Sequence, residues 1–145
     1  MASSSQNTSL PLLSICIPVL NEEANLATLY QRLDQLSIHM QTQCRFEFVF
    51  TDNHSSDSTW DQLITLSQQD SRVRAIRFSK NVGFQRSILA NYLHARGDAV
   101  IQVDADLQDP PELIERFFKL WQQGYCVGYG IRRKRQERLV LRMVR

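Results

Sequence analysis

The sequence predicts an α/β fold, an open, mainly parallel sheet with helices on both faces. Three observations lead to this fold class. Apolar, strand-like runs alternate four times with segments of helical periodicity. Successive runs lie roughly 25–30 residues apart, the length of a strand–helix–strand unit. Polar or acidic residues follow each run directly, at the edge where ligands bind in such sheets. With 145 residues, the chain has the size of one domain.

The first half of the chain predicts two strand–helix units. Residues 12–18 form an apolar run that ends at a proline, and apolar positions at helical spacing follow over residues 22–36. Residues 46–51 predict the next strand. A polar loop over residues 52–58 then leads into a second helix, whose apolar positions are Trp60, Leu63, Ile64 and Leu66.

The second half predicts two more units and a short final strand. Residues 73–78 alternate like a half-buried strand, and a helix follows over residues 84–94. Residues 98–103 predict a fourth strand. Two prolines open a fourth helix over residues 110–122, because the first helical position needs no N–H donor. A short fifth strand is expected over residues 125–130.

Charge divides the chain into an acidic body and a basic end. Residues 132–145 carry seven basic side chains against one acidic, a net charge of +6, which leaves −4 for residues 1–131. We therefore expect a disordered leader over residues 1–10, a domain over residues 11–131, and a basic amphipathic tail over residues 132–145. Such a tail suits an anionic membrane surface. The side chains predicted to contact membrane or acceptor are Arg132, Arg133, Arg135 and Arg138.

Several classes of protein and site are disfavoured. The three cysteines are isolated, and neither they nor the histidines have the spacing of zinc ligands. The N-terminus lacks the basic start and apolar centre of a signal peptide, and no apolar run approaches the roughly 20 residues of a membrane-spanning helix. We expect this piece to be soluble. The acidic body also argues against a nucleic-acid partner.

Asp104 and Asp106 stand one residue apart after the fourth strand, with Gln108 behind them. In an extended chain both carboxylates point to the same side, where they repel each other unless a cation lies between them. A divalent ion with oxygen ligands resolves this repulsion and bridges a diphosphate. The chain has no glycine-rich phosphate loop that would do so instead. The alternative is a pair of solvated loop aspartates that cap the next helix.

Four strings occur in the order and spacing of a known family: SICIPVLNEEANL, TDNHSSDSTW, FSKNVGFQRSILA and VDADLQDPPELI. Together they resemble the family 2 glycosyltransferases of GT-A fold. The resemblance extends over residues 14–137. It is strongest to the polyprenyl-phosphate branch, which contains dolichol-phosphate mannosyltransferases and bactoprenol sugar transferases. The resemblance implies that the sheet is the Rossmann-like half that binds a nucleotide sugar.

On the base side, the resemblance implies that Pro18, Asn21 and Glu22 lie against the nucleotide base and ribose. Asp52 would accept a hydrogen bond from the base, which suits the N3–H of uracil. Three further residues would line the donor pocket: Asn81, Gly83 and Gln85.

On the phosphate side, the resemblance places Asp104 near the ribose and diphosphate, and Asp106 with Gln108 on a divalent metal, Mg²⁺ or Mn²⁺. Asp104 and Asp106 are the expected catalytic residues. Lys80 stands where the family has arginine, which keeps the charge but loses bidentate geometry. Asn53 and His54 replace the family's second acid and its glycine. Asn tolerates a left-handed backbone, so the turn is expected to survive with its residues reassigned.

The resemblance implies an enzyme that transfers a sugar, with inversion, from a nucleotide sugar, preferentially uridine-linked, to a polyprenyl phosphate. Such an enzyme would work at the cytoplasmic face of the cell membrane. Family members continue well beyond 145 residues, so this piece alone is expected to be poorly active. Two alternatives stay open: a non-catalytic nucleotide- or magnesium-binding module, and a family 2 transferase acting on a saccharide hydroxyl. The oligomeric state, including a homo-oligomer, also stays open.

Overall fold

Strand and helix alternate four times in the computed structural model, which describes residues 9–130. The elements follow in this order: β1 (Leu12–Val19), α1 (Leu26–His39), β2 (Arg45–Asp52), α2 (Thr59–Gln69), β3 (Val73–Arg77), α3 (Phe84–His94), β4 (Ala99–Gln102) and α4 (Leu113–Gln122). The predicted fold class is confirmed.

The sheet has the strand order β3-β2-β1-β4, and all three strand pairs are parallel. The chain therefore moves outward from β1 to β3 and then returns to the other side of β1. This reversal creates a switch point between β1 and β4, and ligands bind at the carboxyl ends of the strands beside such a point. The register places Ile15 of β1 between Phe48 of β2 and Ile101 of β4.

The main core lies on one face of the sheet. β1 is one of the two inner strands and is buried over nearly its whole length, which explains its continuous apolar run. Its alternate residues from Leu13 to Val19 join the aromatic side chains of β2 in one apolar cluster. Helices α1, α2 and α4 close this cluster with their apolar faces, through Leu26, Leu29, Leu33, Leu36, Leu63, Ile114 and Phe118.

The opposite face, which α3 covers, is more polar. Thr51 of β2 and Ser87 of α3 share a hydrogen bond of 2.8 Å between their hydroxyls, and both residues are buried. Farther along the same face, the hydroxyl of Ser14 donates to the buried carboxylate of Glu47. Gly97 is required beside this pair, since a Cβ there would lie 2.5 Å from Ser14 Oγ.

Two predicted helices begin later than expected. The first begins at Leu26 rather than at residue 22, because residues 23–25 form a turn in which Glu22 accepts the N–H groups of Asn25 and Leu26. The fourth begins at Leu113, after a turn closed on the carbonyls of both prolines.

The predicted fifth strand over residues 125–130 is wrong. Those residues are exposed and pair with no strand in the part of the chain that the structure describes. Gly124, with a φ of 93°, turns the backbone at the end of α4 before the segment begins. The apolar residues that suggested a strand, Val127 among them, lie at the surface.

The predicted leader and basic tail fall almost wholly outside residues 9–130, and so do Arg132, Arg133, Arg135 and Arg138. Within residues 9–130, every helix is too short or too polar to cross a bilayer.

Candidate functional site

A cavity of about 430 Å³ opens at the carboxyl ends of β1 and β4, at the switch point of the sheet. The N-terminus of α3 and the loop after β2 complete its wall. The lining residues are Pro18, Val19, Leu20, Glu22, Asn53, Asn81, Gly83, Phe84, Ser87, Asp104, Ala105 and Asp106.

The loop after β1 is joined to the loop after β2 by hydrogen bonds in both directions. Asn21 has a left-handed backbone with a φ of 56°, which asparagine tolerates well. Its N–H donates to Ser55 Oγ (2.9 Å), and its Oδ1 accepts the N–H of Ser56 (2.8 Å). The N–H of Glu22 donates to Thr59 Oγ1 (2.8 Å). These bonds hold Glu22 at the cavity while Asn21 itself faces the neighbouring loop.

Asp57 reinforces this junction at the start of α2. Its carboxylate accepts the N–H of Thr59 (3.0 Å) and that of Glu23 (3.2 Å). Desolvation raises the pKa of Asp57, but these hydrogen bonds outweigh it and lower the pKa below its usual value. Asp57 therefore stabilises the beginning of α2, where an aspartate can accept backbone N–H groups that have no partner within the helix.

Asp52, at the end of β2, turns away from the cavity. Its carboxylate is fully buried, and Oδ1 accepts both the N–H and the hydroxyl of Ser55. Oδ2 lies 3.1 Å from Nε of Arg77 in an ion pair that lacks the alignment of a hydrogen bond. Arg77 also donates to the carbonyl of Ser55 and stacks over the ring of Trp60. Asp52 therefore organises the loop rather than lining the cavity.

In the turn after Asp52, the left-handed backbone falls on His54. His54 has a φ of 68°, so a side chain occupies the left-handed position and no reassignment to Asn53 takes place. Asn53 is thereby left free to reach the next loop. Its Nδ2 donates to Oδ1 of Asn81 (2.9 Å), and its Oδ1 accepts the N–H of Val82 (2.8 Å).

Gly83 lies at the cavity, directly before the first residue of α3, and has a φ of 90°, a conformation that other residues rarely adopt. The first turn of α3 contains no acidic residue. A helix N-terminus carries partial positive charge and unpaired N–H groups, which together favour phosphate groups. The start of α3 is therefore suited to bind phosphate groups, a task that a glycine-rich loop performs in other nucleotide-binding proteins.

Asp104 and Asp106 both line the cavity from the loop after β4. Oδ1 of Asp104 accepts a hydrogen bond from Nε2 of Gln102 (3.1 Å), and Oδ1 of Asp106 accepts one from the backbone N–H of Gln108 (3.1 Å). Leu107, which follows Asp106, has a left-handed φ of 59°, which costs an ordinary residue about 1 kcal/mol or more. The second oxygen of each aspartate has no protein partner within residues 9–130.

The charges in this cavity favour a cation beside any phosphate ligand. Three carboxylates line the wall, those of Glu22, Asp104 and Asp106, and no lysine or arginine within residues 9–130 joins them. No group of three or more His, Cys, Asp or Glu residues in that range forms a metal site by itself. Mg²⁺ typically takes one or two carboxylates and completes its shell with water and substrate phosphates. Two aspartates with free oxygens fit that pattern.

The structure brings together six of the ten residues predicted to bind nucleotide or metal. Pro18, Glu22, Asn81, Gly83, Asp104 and Asp106 line the cavity. Asn21 and Asp52 hold loops instead. Gln85 is exposed on α3 and Gln108 is exposed after Asp106, and neither lines the cavity.

Sequence reasoning did not select Asn53, Phe84 and Ser87 as binding residues, although all three line the cavity. Asn53 directly follows a strand, which was a usable signal. Nothing local distinguishes Ser87, because only the packing of α3 on β2 brings it to this place.

Comparison with known proteins agrees with this architecture. Residues 14–145 match the family model described as Glycosyl transferase family 2. The chain is 42% identical over 123 residues to an uncharacterized glycosyltransferase, YkcC, of Bacillus subtilis, covering 85% of this chain and 38% of the relative. It is 40% identical over 127 residues to the undecaprenyl-phosphate 4-deoxy-4-formamido-L-arabinose transferase of Pseudomonas aeruginosa, covering 87% and 37%. The chain thus spans less than two fifths of these relatives.

Solved structures share the fold at low sequence identity. TarS 1-349 of S. aureus superposes with a TM-score of 0.61 at 18% identity, over 86% of this chain and 39% of that one. A mannosyltransferase from Pyrobaculum calidifontis, solved with GDP-Man and Mn²⁺, gives a TM-score of 0.54 at 22% identity, over 71% and 34%. The sheet is that of a GT-A fold, and the chain belongs to glycosyltransferase family 2.

Proposed function

We propose that this chain binds the nucleotide-sugar donor of an enzyme that transfers the sugar, with inversion, to a polyprenyl phosphate. The observation that carries the proposal is the cavity between β1 and β4. Its lining contains the acidic side chains of Asp104 and Asp106 together with the start of α3 and Asn81. The donor is a nucleoside diphosphate sugar, and its base is determined by experiment, because Asp52, which the resemblance assigns to uracil, does not line the cavity.

The acidic wall implies that a divalent ion, Mg²⁺ or Mn²⁺, accompanies the diphosphate. Asp104 and Asp106 would hold it through their free carboxylate oxygens. When bound, such an ion supplies the positive charge that stabilises the departing nucleoside diphosphate. The relative from P. calidifontis was solved with Mn²⁺ and GDP-Man, which supports the same pairing here.

A polyprenyl phosphate acceptor is supported by the relative from P. aeruginosa, whose name gives undecaprenyl phosphate. A second cavity of about 460 Å³ shares Asp104 with the first and lies along β4 and α4. Much of its wall is apolar, which suits a lipid: Ile101, Val103, Pro110, Pro111, Leu113, Ile114 and Phe117.

The chemistry then needs no protein base. A phosphate monoester has a second pKa near 6, by analogy with phosphorylated side chains, so the acceptor is largely dianionic at neutral pH. One of its oxygens forms the bond to the anomeric carbon while the bond from that carbon to the donor diphosphate breaks. A saccharide hydroxyl would instead require a base to take its proton.

Titration calorimetry with UDP in Mg²⁺, in Mn²⁺ and in EDTA tests the donor site. We expect EDTA to abolish most binding and Asp106→Asn to weaken metal-supported binding about 10- to 100-fold, as loss of metal-site groups usually does. Asp61→Asn is the control, since Asp61 is exposed on α2 and does not line the cavity. Equal affinity with and without metal would contradict the proposal.

The acceptor is tested by release of nucleoside diphosphate from labelled UDP- and GDP-sugars. We expect release to rise when a short polyprenyl phosphate is added and to stay unchanged when a free saccharide is added. A response to the saccharide alone would favour transfer to a hydroxyl.

A further inference from the structure

Two asparagines from different loops form a continuous chain of hydrogen bonds at the cavity wall. Asn53 follows β2 and Asn81 precedes α3, and both line the cavity. We infer that Asn53 is a positioning residue, which sets the side-chain amide of Asn81 so that its Nδ2 donates to an oxygen atom of the donor nucleotide. This inference rests on the proposed donor site and specifies one of its contacts.

The orientation of both amides follows from two backbone groups that only donate. The N–H of Val82 lies 2.8 Å from one end of the Asn53 amide, so that end is Oδ1. The other end, Nδ2, must then donate to Asn81 at 2.9 Å, and the atom it meets must be Oδ1 of Asn81. The N–H of Gly83 reaches the same oxygen at 2.9 Å, which gives the identical assignment independently.

These bonds leave one group of Asn81 for a ligand. A carbonyl oxygen has two lone pairs, and Oδ1 of Asn81 already accepts two N–H groups. Its Nδ2, with two hydrogens, has no partner within residues 9–130. Asn81 is exposed and lines the cavity, whereas Asn53 is only 4% exposed. The buried Asn53 and the N–H of Gly83 therefore determine together which end of the exposed amide faces the ligand.

The atom that Asn81 recognises must accept a hydrogen bond. Carbonyl oxygens of the base, ribose oxygens and diphosphate oxygens all qualify, whereas a base N–H does not. A carboxylate at position 53 would oppose the constraint that the N–H of Gly83 still provides, because it accepts the N–H of Val82 but donates nothing to Asn81. In the fraction of molecules whose Asn81 turns its Nδ2 toward that carboxylate, the cavity would lose its donor.

Binding of UDP in Mg²⁺ by variants at both positions tests the inference. One ordinary hydrogen bond corresponds to roughly a 3- to 10-fold change in affinity. We expect Asn81→Ala, Asn53→Ala and Asn53→Asp each to weaken binding by about that factor. The double variant Asn53→Ala/Asn81→Ala should bind no more weakly than Asn81→Ala alone, because Asn53 acts through Asn81. Gln68→Ala, an exposed amide on α2, is the control.

Two further sets of binding measurements separate the effect of the added charge and identify the ligand oxygen. Asn53→Asp also adds a charge, so its effect is measured again in the Asn81→Ala background, where only repulsion by that charge should persist. Uridine, UMP, UDP and inorganic diphosphate then locate the ligand oxygen. A penalty in Asn81→Ala with uridine assigns it to base or ribose, and a penalty only with phosphorylated probes assigns it to the diphosphate.

Thermal unfolding of every variant checks that the fold is intact. Additive losses in the double variant, or unchanged UDP affinity in both Asn53 variants, would overturn this inference and leave the donor site standing. Failure of the unaltered chain to bind any of the four probes would instead overturn the proposed function, and the inference with it.

Discussion

At the scale of a single residue, the resemblance and the structure assign different roles to the carboxylate of Asp52. The resemblance to the family assigns it to the N3–H of a uracil base. The structure places it in full burial, with Ser55 on one oxygen and Arg77 beside the other. Removing one member of such a buried pair lowers the stability strongly, because the other member is left buried without its partner.

We expect Asp52→Ala to lower the free energy of unfolding by about 2–4 kcal/mol, because Arg77 and Ser55 would be left with unpaired polar groups. The ratio of UDP to CDP affinity should stay as it is in the unaltered chain. Urea unfolding measures the first quantity, and calorimetry measures the second.

The exposed Asp61 again provides the comparison, since Asp61→Asn should change stability by no more than about 0.5 kcal/mol. A loss of base preference in Asp52→Ala without a loss of stability would return Asp52 to the nucleotide site.

At the scale of elements, one end of the sheet forms the cavity and the other end stabilises the sheet. The carboxyl ends of β1 and β4 form the cavity, while Glu47 lies nearer the opposite ends of the strands. Its carboxylate accepts the hydroxyl of Ser14 and the N–H of Arg96, and Arg74 lies 3.5 Å away. These contacts connect β1, β2, β3 and the loop that precedes β4, so Glu47 stabilises the sheet without approaching the site.

Acid should remove this contribution. Burial raises the pKa of Glu47, but the hydrogen bonds from Ser14 and Arg96 and the charge of Arg74 bring it below the ordinary value of 4.5. A carboxyl whose folded pKa is depressed stabilises fully above the unfolded pKa and loses that contribution as pH falls through the folded pKa. Glu47→Gln should therefore cost about 1–3 kcal/mol at pH 7 and progressively less below pH ~4.

Unfolding by urea between pH 7 and pH 3 gives the difference in stability between the two proteins. Glu112→Gln is a suitable comparison, because Glu112 makes an exposed ion pair with Arg32 that contributes at most about 1 kcal/mol. A cost of Glu47→Gln that is the same at both pH values would show that the carboxylate charge is not involved.

At the scale of the whole chain, the separation of charge suggests how the donor site is held near an acceptor in a membrane. Residues 1–131 carry a net charge of −4 and residues 132–145 a net charge of +6. Apolar residues lie between the later basic ones, from Arg138 to Arg145, and each basic residue near an anionic surface contributes about 1 kcal/mol. The sequence therefore predicts that this end carries the affinity for membranes.

Deletion of residues 132–145 should abolish most co-sedimentation with phosphatidylglycerol vesicles. Binding of the unaltered chain should weaken as salt rises, because the attraction is electrostatic. Replacing Arg132, Arg133, Arg135 and Arg138 with glutamine keeps the apolar residues and should give most of the same loss. Equal binding to neutral phosphatidylcholine vesicles would contradict the prediction.

The fold class and the edge of the sheet that carries the site were predictable from the sequence by itself. Both rest on local signals, namely the period of the apolar residues and the polar residues that follow each strand. Asp104 and Asp106 were found in this way, because their position after a strand was sufficient to bring them to the cavity.

Only the tertiary structure decided which of the strand-end residues face the ligand. Asp52 and Asn53 are neighbours in the chain, yet Asp52 turns inward to Arg77, 25 residues away, and Asn53 reaches Asn81, 28 residues away. Likewise, residues 125–130 have the composition of a strand but find no strand to pair with in the described part of the chain. Periodicity is a property of each segment, whereas hydrogen-bond partners depend on which segments the fold brings together.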